Sequence, residues 1–436
     1  MVRYIIEELY RWKKNPARKP LVLQGARQVG KTWLMQQFAR EAFQHHIYIN
    51  FENNELLRRL FERDFDINRI LLEIQVATGE TVTPDTLLLF DEIQEAGRGI
   101  TALKYFYEER PDIPLIAAGS LLGIAMHAND SFPVGKVDFL TLYPMSFPEF
   151  LEATGNAQMA LLLHSRRWET INTFLPQLEA LLRQYYYVGG MPEAVKCFAE
   201  QRDWQRVREV QTAVLDSYDR DFSKHAPLQE VPRIRLVWRS VIGQLAKENK
   251  KFIYGAVRKG ARAKDFEVAI TWLKDAGLIY KVHRVSKIEY PLSFYEDFDV
   301  FKIFPLDVGL LGAMTDVPAS QILVGDNIFK EFKGAFTECY VNEQLARIQI
   351  PTFYHSSNES ECEIDFAVQT VRRVIPIEAK AQENVKAKSL RTYIDEHPNL
   401  KGLRFSMLNY IDQGWMENLP LYAVQGYLWA EGVPVP

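Results

Sequence analysis

The chain has 436 residues, 47% hydrophobic and 25% charged, which suits several packed domains and excludes a long disordered or low-complexity protein. A net charge of −4 names no partner, and Cys197, Cys339 and Cys362 are too few and too scattered for a disulfide framework or a four-thiolate metal site. The opening segment lacks the apolar core of a signal peptide, and nowhere do about eighteen apolar residues run together, so the expectation is a cytoplasmic protein with no membrane span.

Residues 20–147 alternate short apolar runs with helix-length stretches: PLVLQ, HIYINF, TLLLF, PLIAAGS and VDFLTLYP. Such runs predict βα units around a parallel sheet buried on both faces. Directly after the first run stands Gly25-Ala26-Arg27-Gln28-Val29-Gly30-Lys31-Thr32, leading into the good helix former WLMQQFARE. Strand before and helix after make this a credible phosphate-binding loop. Its glycines let successive N–H groups and a helix N-terminus face phosphates. Lys31 can reach the β- and γ-phosphates, and the Thr32 hydroxyl can bind Mg²⁺. The plainer reading is a glycine turn beside an exposed lysine.

The run Leu87-Leu88-Leu89-Phe90 ends in Asp91 and Glu92. Beside a phosphate loop, Asp91 can join the Mg²⁺ shell and Glu92 can activate a water. Alone, two acids at a strand end would read as a solvated turn. His45 and His46 precede a strand without a third ligand at metal spacing.

Residues 148–225 lose the strand runs and read as helices. Within them Tyr185-Tyr186-Tyr187, before Gly189-Gly190, reads as packing, with contact to a nucleotide as the sharper alternative. From Val231 to Lys264 ten basic residues stand against the single acid Glu248, while the rest of the chain carries 42 basic and 55 acidic side chains. They are Arg233, Arg235, Arg239, Lys247, Lys250, Lys251, Arg258, Lys259, Arg262 and Lys264. Such a local field is a footprint for phosphate backbones. Helices followed by the strands GLIYKVHRV and FKIFPLDV resemble a winged helix. The alternative is a packing module whose charges are solvated or face acidic neighbours.

Residues 329–349 predict a helix on which Glu338 shares a face with Ala335, Val341 and Leu345. A carboxylate in an apolar stripe costs stability unless a cation or metal compensates it. In CEIDFAV the alternation puts Glu363 and Asp365 on one face, and VIPIEAK does the same for Glu378 and Lys380.

The phosphate loop, the Asp91-Glu92 pair and the PLIAAGS strand resemble the ATPase core of AAA+ proteins. That resemblance implies that Ser120 senses the γ-phosphate and that Asn50 restrains the catalytic glutamate; local hydrogen bonding is the plainer role for both. GARQVGKT, DEIQ, AAGS, LYPMSFPEF, GGMPEAV and FPLDVGLL, in this order, resemble prokaryotic AAA+-type ATPases with a C-terminal nuclease-like domain. The resemblance implies ATP and Mg²⁺ as cofactors, a homo-oligomer, and DNA, RNA or a protein as partner. Where that group commonly carries a Gly-Arg pair, this chain has Gly135-Lys136. If the pair completes a neighbouring subunit's site, Lys136 brings charge without the guanidinium fork.

Asp365 with Glu378-Ala379-Lys380 resembles the acid and (D/E)xK core of the PD-(D/E)XK nucleases, and Glu338 matches that fold's helix acid. There Glu338, Asp365 and Glu378 would hold Mg²⁺ and Lys380 would position the attacking water. A salt bridge between Lys380 and Asp365 is the plainer alternative. The expected architecture is α/β: a P-loop AAA+-like core (1–150), a helical lid (151–225), a winged-helix-like module (226–325) and a restriction-endonuclease-like α/β domain (326–436).

Overall fold

The computed structural model describes residues 2–120, 122–123, 135–246, 251–323, 330–357, 362–381 and 387–430. They form two compact units. One comprises Arg3–Tyr143 with Asp275–Leu278, the other Pro144–Lys274 with Ile279–Pro436 and the first two residues.

The first unit is built on β1 (Leu21–Gln24), β2 (His45–Asn50), β3 (Thr86–Asp91), β4 (Leu115–Ala118) and β5 (Asp138–Thr141). All neighbours pair in parallel, in the order β2-β3-β4-β1-β5. Each strand lies in one of the five apolar runs, and β3 and β4 are buried along their whole length. Burial on both faces is why β3 and β4 do not alternate, whereas β2 buries every second residue. Phe90 anchors the core edge-to-face against Phe51 and Phe106, with centroids 5.4 and 5.8 Å away. Helix Lys31–Ala42 follows β1, which sets the phosphate loop at the carboxyl end of a central strand.

The second unit begins with helices, among them Leu175–Val188, Trp204–His225 and Val231–Leu245. Its sheet contains β6 (Ile279–Val285), β7 (Glu296–Pro305), β8 (Thr352–Ser356), β9 (Glu363–Gln369), β10 (Val374–Ala379), β11 (Gly402–Ser406), β12 (Ile411–Asp412) and β13 (Met416–Pro420). The strand order is β12-β13-β11-β10-β9-β8-β6-β7. Helices Val231–Leu245, Tyr254–Val257 and Glu267–Asp275 do precede a strand pair, as a winged helix requires. That pair does not stand alone: β6 pairs in parallel with β8, His283 opposite Phe353, so β6 and β7 edge the sheet of the C-terminal residues. Val285 of β6 accordingly belongs to the same buried cluster as Phe353, Ile364, Ala367 and Val374.

Three of the sequence motifs meet at Arg347, near the end of helix Lys330–Arg347. Its guanidinium donates to the carbonyls of Pro144 (2.8 Å) and Met145 (2.9 Å) and to the Tyr185 hydroxyl (3.0 Å), and pairs with Glu343 (3.2 Å). Asp307 accepts from the Gly190 and Leu310 amides at 2.6 and 3.0 Å. At Gly189 φ is +72°, and a Cβ would lie 2.1 Å from Asp307 Oδ1, so only glycine fits there. LYPMSFPEF, GGMPEAV and FPLDVGLL are thus legible as one buried polar junction. The three tyrosines pack here: Tyr185 against Phe147 and Phe150, Tyr186 against Tyr340, Tyr187 against Trp204.

Candidate functional site

In the first unit, Gly25 adopts φ +140° and a Cβ there would meet the Leu142 carbonyl at 2.2 Å. Gln28 and Gly30 also have positive φ, at +67° and +95°. The loop Gly25–Gly30 therefore curls tightly before Gly30 caps helix Lys31–Ala42. Lys31 is buried and folds back, donating to the carbonyls of Gly25 and Ala26 at 2.8 Å each. Burial pulls its pKa down to about 8 against the opposing pull of Glu92 and Asp91.

At the end of β3, the Thr32 and Tyr48 hydroxyls both donate to Asp91 Oδ2 at 2.8 Å. The Glu92 amide donates to Asp91 Oδ1 at 3.1 Å. Burial and the bond to Asp91 raise the Tyr48 pKa to about 12, so the phenol stays a donor at neutral pH. Thr32 and Asp91 form an all-oxygen donor set, the chemistry that fits Mg²⁺.

Glu92 has φ +51°, and its carboxylate accepts from the Ser120 hydroxyl at 3.0 Å and the Gln94 amide at 2.6 Å. Ser120 thus meets the catalytic candidate directly. Asn50 does not restrain Glu92 here: its Oδ1 accepts from the Glu52 amide at 2.9 Å and its Nδ2 lies 3.4 Å from the Tyr48 hydroxyl. The parallel register puts Asn50 beside Asp91, one residue short of Glu92. Lys136 pairs with Glu108 at 3.1 Å and is 38% exposed.

The sequence reading missed Tyr48 and Gln94. Tyr48 shares a strand face with Asn50, and Gln94 is the last residue of DEIQ. Period-two alternation and a closer look at that motif would have found both.

In the second unit, helix Lys330–Arg347 packs on β7, β8 and β10 and brings Glu338 to the sheet face of Glu363 and Asp365. A residue not foreseen, Lys302 on β7, enters the same cluster. It is fully buried, with Nζ 2.6 Å from Glu363 Oε1, 3.7 Å from Glu338 Oε2 and 4.7 Å from the Tyr354 ring centroid. Burial opposes its charge, but Glu338, Glu363 and Asp365 outweigh it and hold its pKa above the ordinary lysine value. Lys380 pairs with Glu378 Oε1 at 3.0 Å, and Asp365 Oδ2 accepts from the Ala379 amide at 2.9 Å. Glu378 Oε2 is buried without a hydrogen-bond partner. Among the described residues no group of three or more His, Cys, Asp or Glu side chains is placed to hold one ion.

Of the ten basic residues, Arg235 is paired with Asp219 (2.9 and 2.7 Å) and Arg233 with Glu230 (2.5 Å). Arg239, Lys251, Arg258, Lys259, Arg262 and Lys264 are exposed, and Lys247 and Lys250 lie outside the described residues. No helix of the described residues is long and apolar enough to cross a membrane.

Residues 17–151 match the family model described as an AAA domain. Over these residues the chain is similar to AAA domains. Residues 179–321 and 333–421 match two further models, each described as a domain of unknown function, DUF8612 and DUF4143. No curated protein matches the sequence. Among solved structures, the Walker-type ATPase of Pyrococcus abyssi is 17% identical over 71% of this chain and 94% of its own, with a TM-score of 0.46. The Aeropyrum pernix ORC1 protein, solved in complex with DNA, is 12% identical over 74% and 95%, with a TM-score of 0.30. The Thermotoga maritima RuvB Holliday junction branch migration motor is 15% identical over 65% and 90%, with a TM-score of 0.31. The models matched by residues 179–321 and 333–421 name no chemistry.

Proposed function

We propose that this chain binds and hydrolyses Mg-ATP and uses that cycle to act on nucleic acid as a homo-oligomer. The observation behind the hydrolytic part is the convergence of Thr32 and Asp91 at 2.8 Å beside a Glu92 held by Ser120. In this reading, the amides of residues 25–30 and the Lys31 ammonium bind the phosphates, with Lys31 exchanging its two carbonyl partners for phosphate oxygens. Thr32 and Asp91 would hold Mg²⁺, whose charge offsets that of the β- and γ-phosphates. Glu92 orients and deprotonates the attacking water, and Ser120 reports on the γ-phosphate. Lys136, or an arginine, completes the site of a neighbouring copy.

For the polynucleotide, support comes from the exposed Arg258, Lys259, Arg262 and Lys264, clustered on one loop of the second unit. The alternative is a protein partner, favoured by the pairing of Arg233 and Arg235 with local acids. Two measurements on the purified chain test the proposal: phosphate release from Mg-ATP, and anisotropy of labelled DNA and RNA across a salt series. Hydrolysis with an affinity that falls steeply as salt rises is expected. Hydrolysis without polynucleotide binding at low salt would favour the protein partner, and no hydrolysis in any assembly state would reject the ATPase reading.

A further inference from the structure

The acids expected to hold a metal in the C-terminal sheet are met by two lysines. A buried ammonium needs close carboxylates, and a buried carboxylate needs a cation or several donors. Lys302, with no exposed surface, links the helix acid Glu338 to the strand acid Glu363, and Lys380 links to Glu378. The set Glu338, Asp365 and Glu378 is thereby divided, and one Asp365 oxygen is engaged by the Ala379 amide.

We infer that the Lys302 ammonium stands in for a divalent ion in this cluster, so that the C-terminal domain holds no Mg²⁺ or Mn²⁺. An ion bridging Glu338 to Asp365 and Glu378 would lie close to the fully buried Lys302 ammonium, where like charges repel strongly. It would also compete with Lys302 for Glu338. Glu378 Oε2 is buried without a hydrogen bond, and Glu338 Oε2 has the Lys302 ammonium at 3.7 Å as its counter-charge. Phosphodiester cleavage dependent on a metal held by these acids is then absent, and the domain is a charge-compensated scaffold. Lys302 lies on a strand of the DUF8612-matching region, whereas the acids it serves lie in the DUF4143-matching region. The cation is therefore supplied by a different part of the chain from the acids.

Mn²⁺ uptake by the full chain without nucleotide, followed by loss of the free-ion paramagnetic signal, tests this. Wild type and Asp365→Asn are expected to behave alike up to millimolar Mn²⁺. Lys302→Met should gain one site, lost again when Asp365→Asn is added. A micromolar wild-type site abolished by Asp365→Asn or Glu378→Gln would overturn the inference, as would a folded Lys302→Met that takes up no more ion than wild type. If Lys302→Met does not fold, the comparison of wild type with Asp365→Asn and Glu378→Gln decides alone.

Discussion

The Ser120 hydroxyl lies 3.0 Å from a carboxylate oxygen of Glu92, so the sensor candidate and the catalytic candidate are bonded to each other. A glutamate held this way has its acceptor capacity partly used. Under the proposed function it would become a better base once Ser120 turned to a phosphate oxygen. In that reading, nucleotide binding and water activation would then be tied through one side chain.

Replacing Glu92 by Gln should keep ATP binding and lower phosphate release by about 10²–10⁴-fold, the usual contribution of a general base. Ser120→Ala should reduce turnover less, because Gln94 still holds Glu92 at 2.6 Å. Nucleotide binding by anisotropy and single-turnover phosphate release separate the two steps. Loss of binding in Glu92→Gln would make that residue structural.

Lys31 gives a pH signature. Burial puts its pKa at about 8, so the free protein loses the ammonium as pH rises through that value. The charged form is the one that binds phosphate, so ATP affinity should be flat below pH 8 and fall about tenfold per unit above it. Lys31→Ala should bind ATP weakly at every pH with no such break. A wild-type affinity unchanged from pH 7 to 10 would refute the assignment.

Tyr48→Phe tests the geometry of Asp91. The lost hydrogen bond goes to a charged group, which corresponds to about 1.5–3 kcal/mol, or roughly tenfold or more in Mg²⁺ requirement. The Mg²⁺ concentration for half-maximal turnover should rise, while ATP binding measured without Mg²⁺ stays at the wild-type value. Equal loss of both would assign Tyr48 to folding.

The first sheet was legible because strands buried on both faces leave uninterrupted apolar runs, and the phosphate loop because its chemistry fixes both residue types and spacing. Less visible were features set by pairing between distant residues. Lys302 lies within the apolar run FKIFP, where alternation alone cannot tell a solvated lysine from one buried against Glu338 and Glu363. Arg235 counted toward a basic patch, yet Asp219, just outside the window counted, neutralises it. GLIYKVHRV contains β6, whereas FKIFPLDV covers only the second half of β7 and runs on into helix Val308–Met314, and nothing local says that β6 continues onto β8.

Lys136 bears on assembly. It is partly exposed and its pair with Glu108 is a surface contact, typically contributing about 0–1 kcal/mol, so it can swing to another partner. If a neighbouring copy's phosphates are that partner, specific ATPase activity should rise with protein concentration, and Lys136→Ala should flatten the rise. Lys136→Arg should restore or exceed wild-type activity, since the guanidinium fork binds phosphate at two points. Constant activity per chain across dilution, with a monomer by sedimentation, would exclude this.

The junction at Arg347 sets a buried guanidinium beside a buried carboxyl. Burial pushes the Glu343 carboxyl well above the ordinary range, whereas Arg347 keeps its charge with acceptors at Pro144, Met145 and Tyr185. Glu343→Gln therefore leaves the guanidinium hydrogen-bonded and should cost about 1–2 kcal/mol, near the value of one such bond. Arg347→Met removes the donor to the Pro144 and Met145 carbonyls and to the Tyr185 hydroxyl, and buried acceptors left unsatisfied cost about 1–3 kcal/mol each, so a loss of about 3–5 kcal/mol is expected. Because the junction lies wholly within the second unit, the loss should appear in that unit's unfolding transition. ATP binding by Lys31 and Thr32 should persist at temperatures where the variant's second unit is still folded. Urea unfolding of the two variants, followed by fluorescence, gives the order: Arg347→Met less stable than Glu343→Gln. The reverse order would mean that the carboxylate, not the guanidinium, organises the junction.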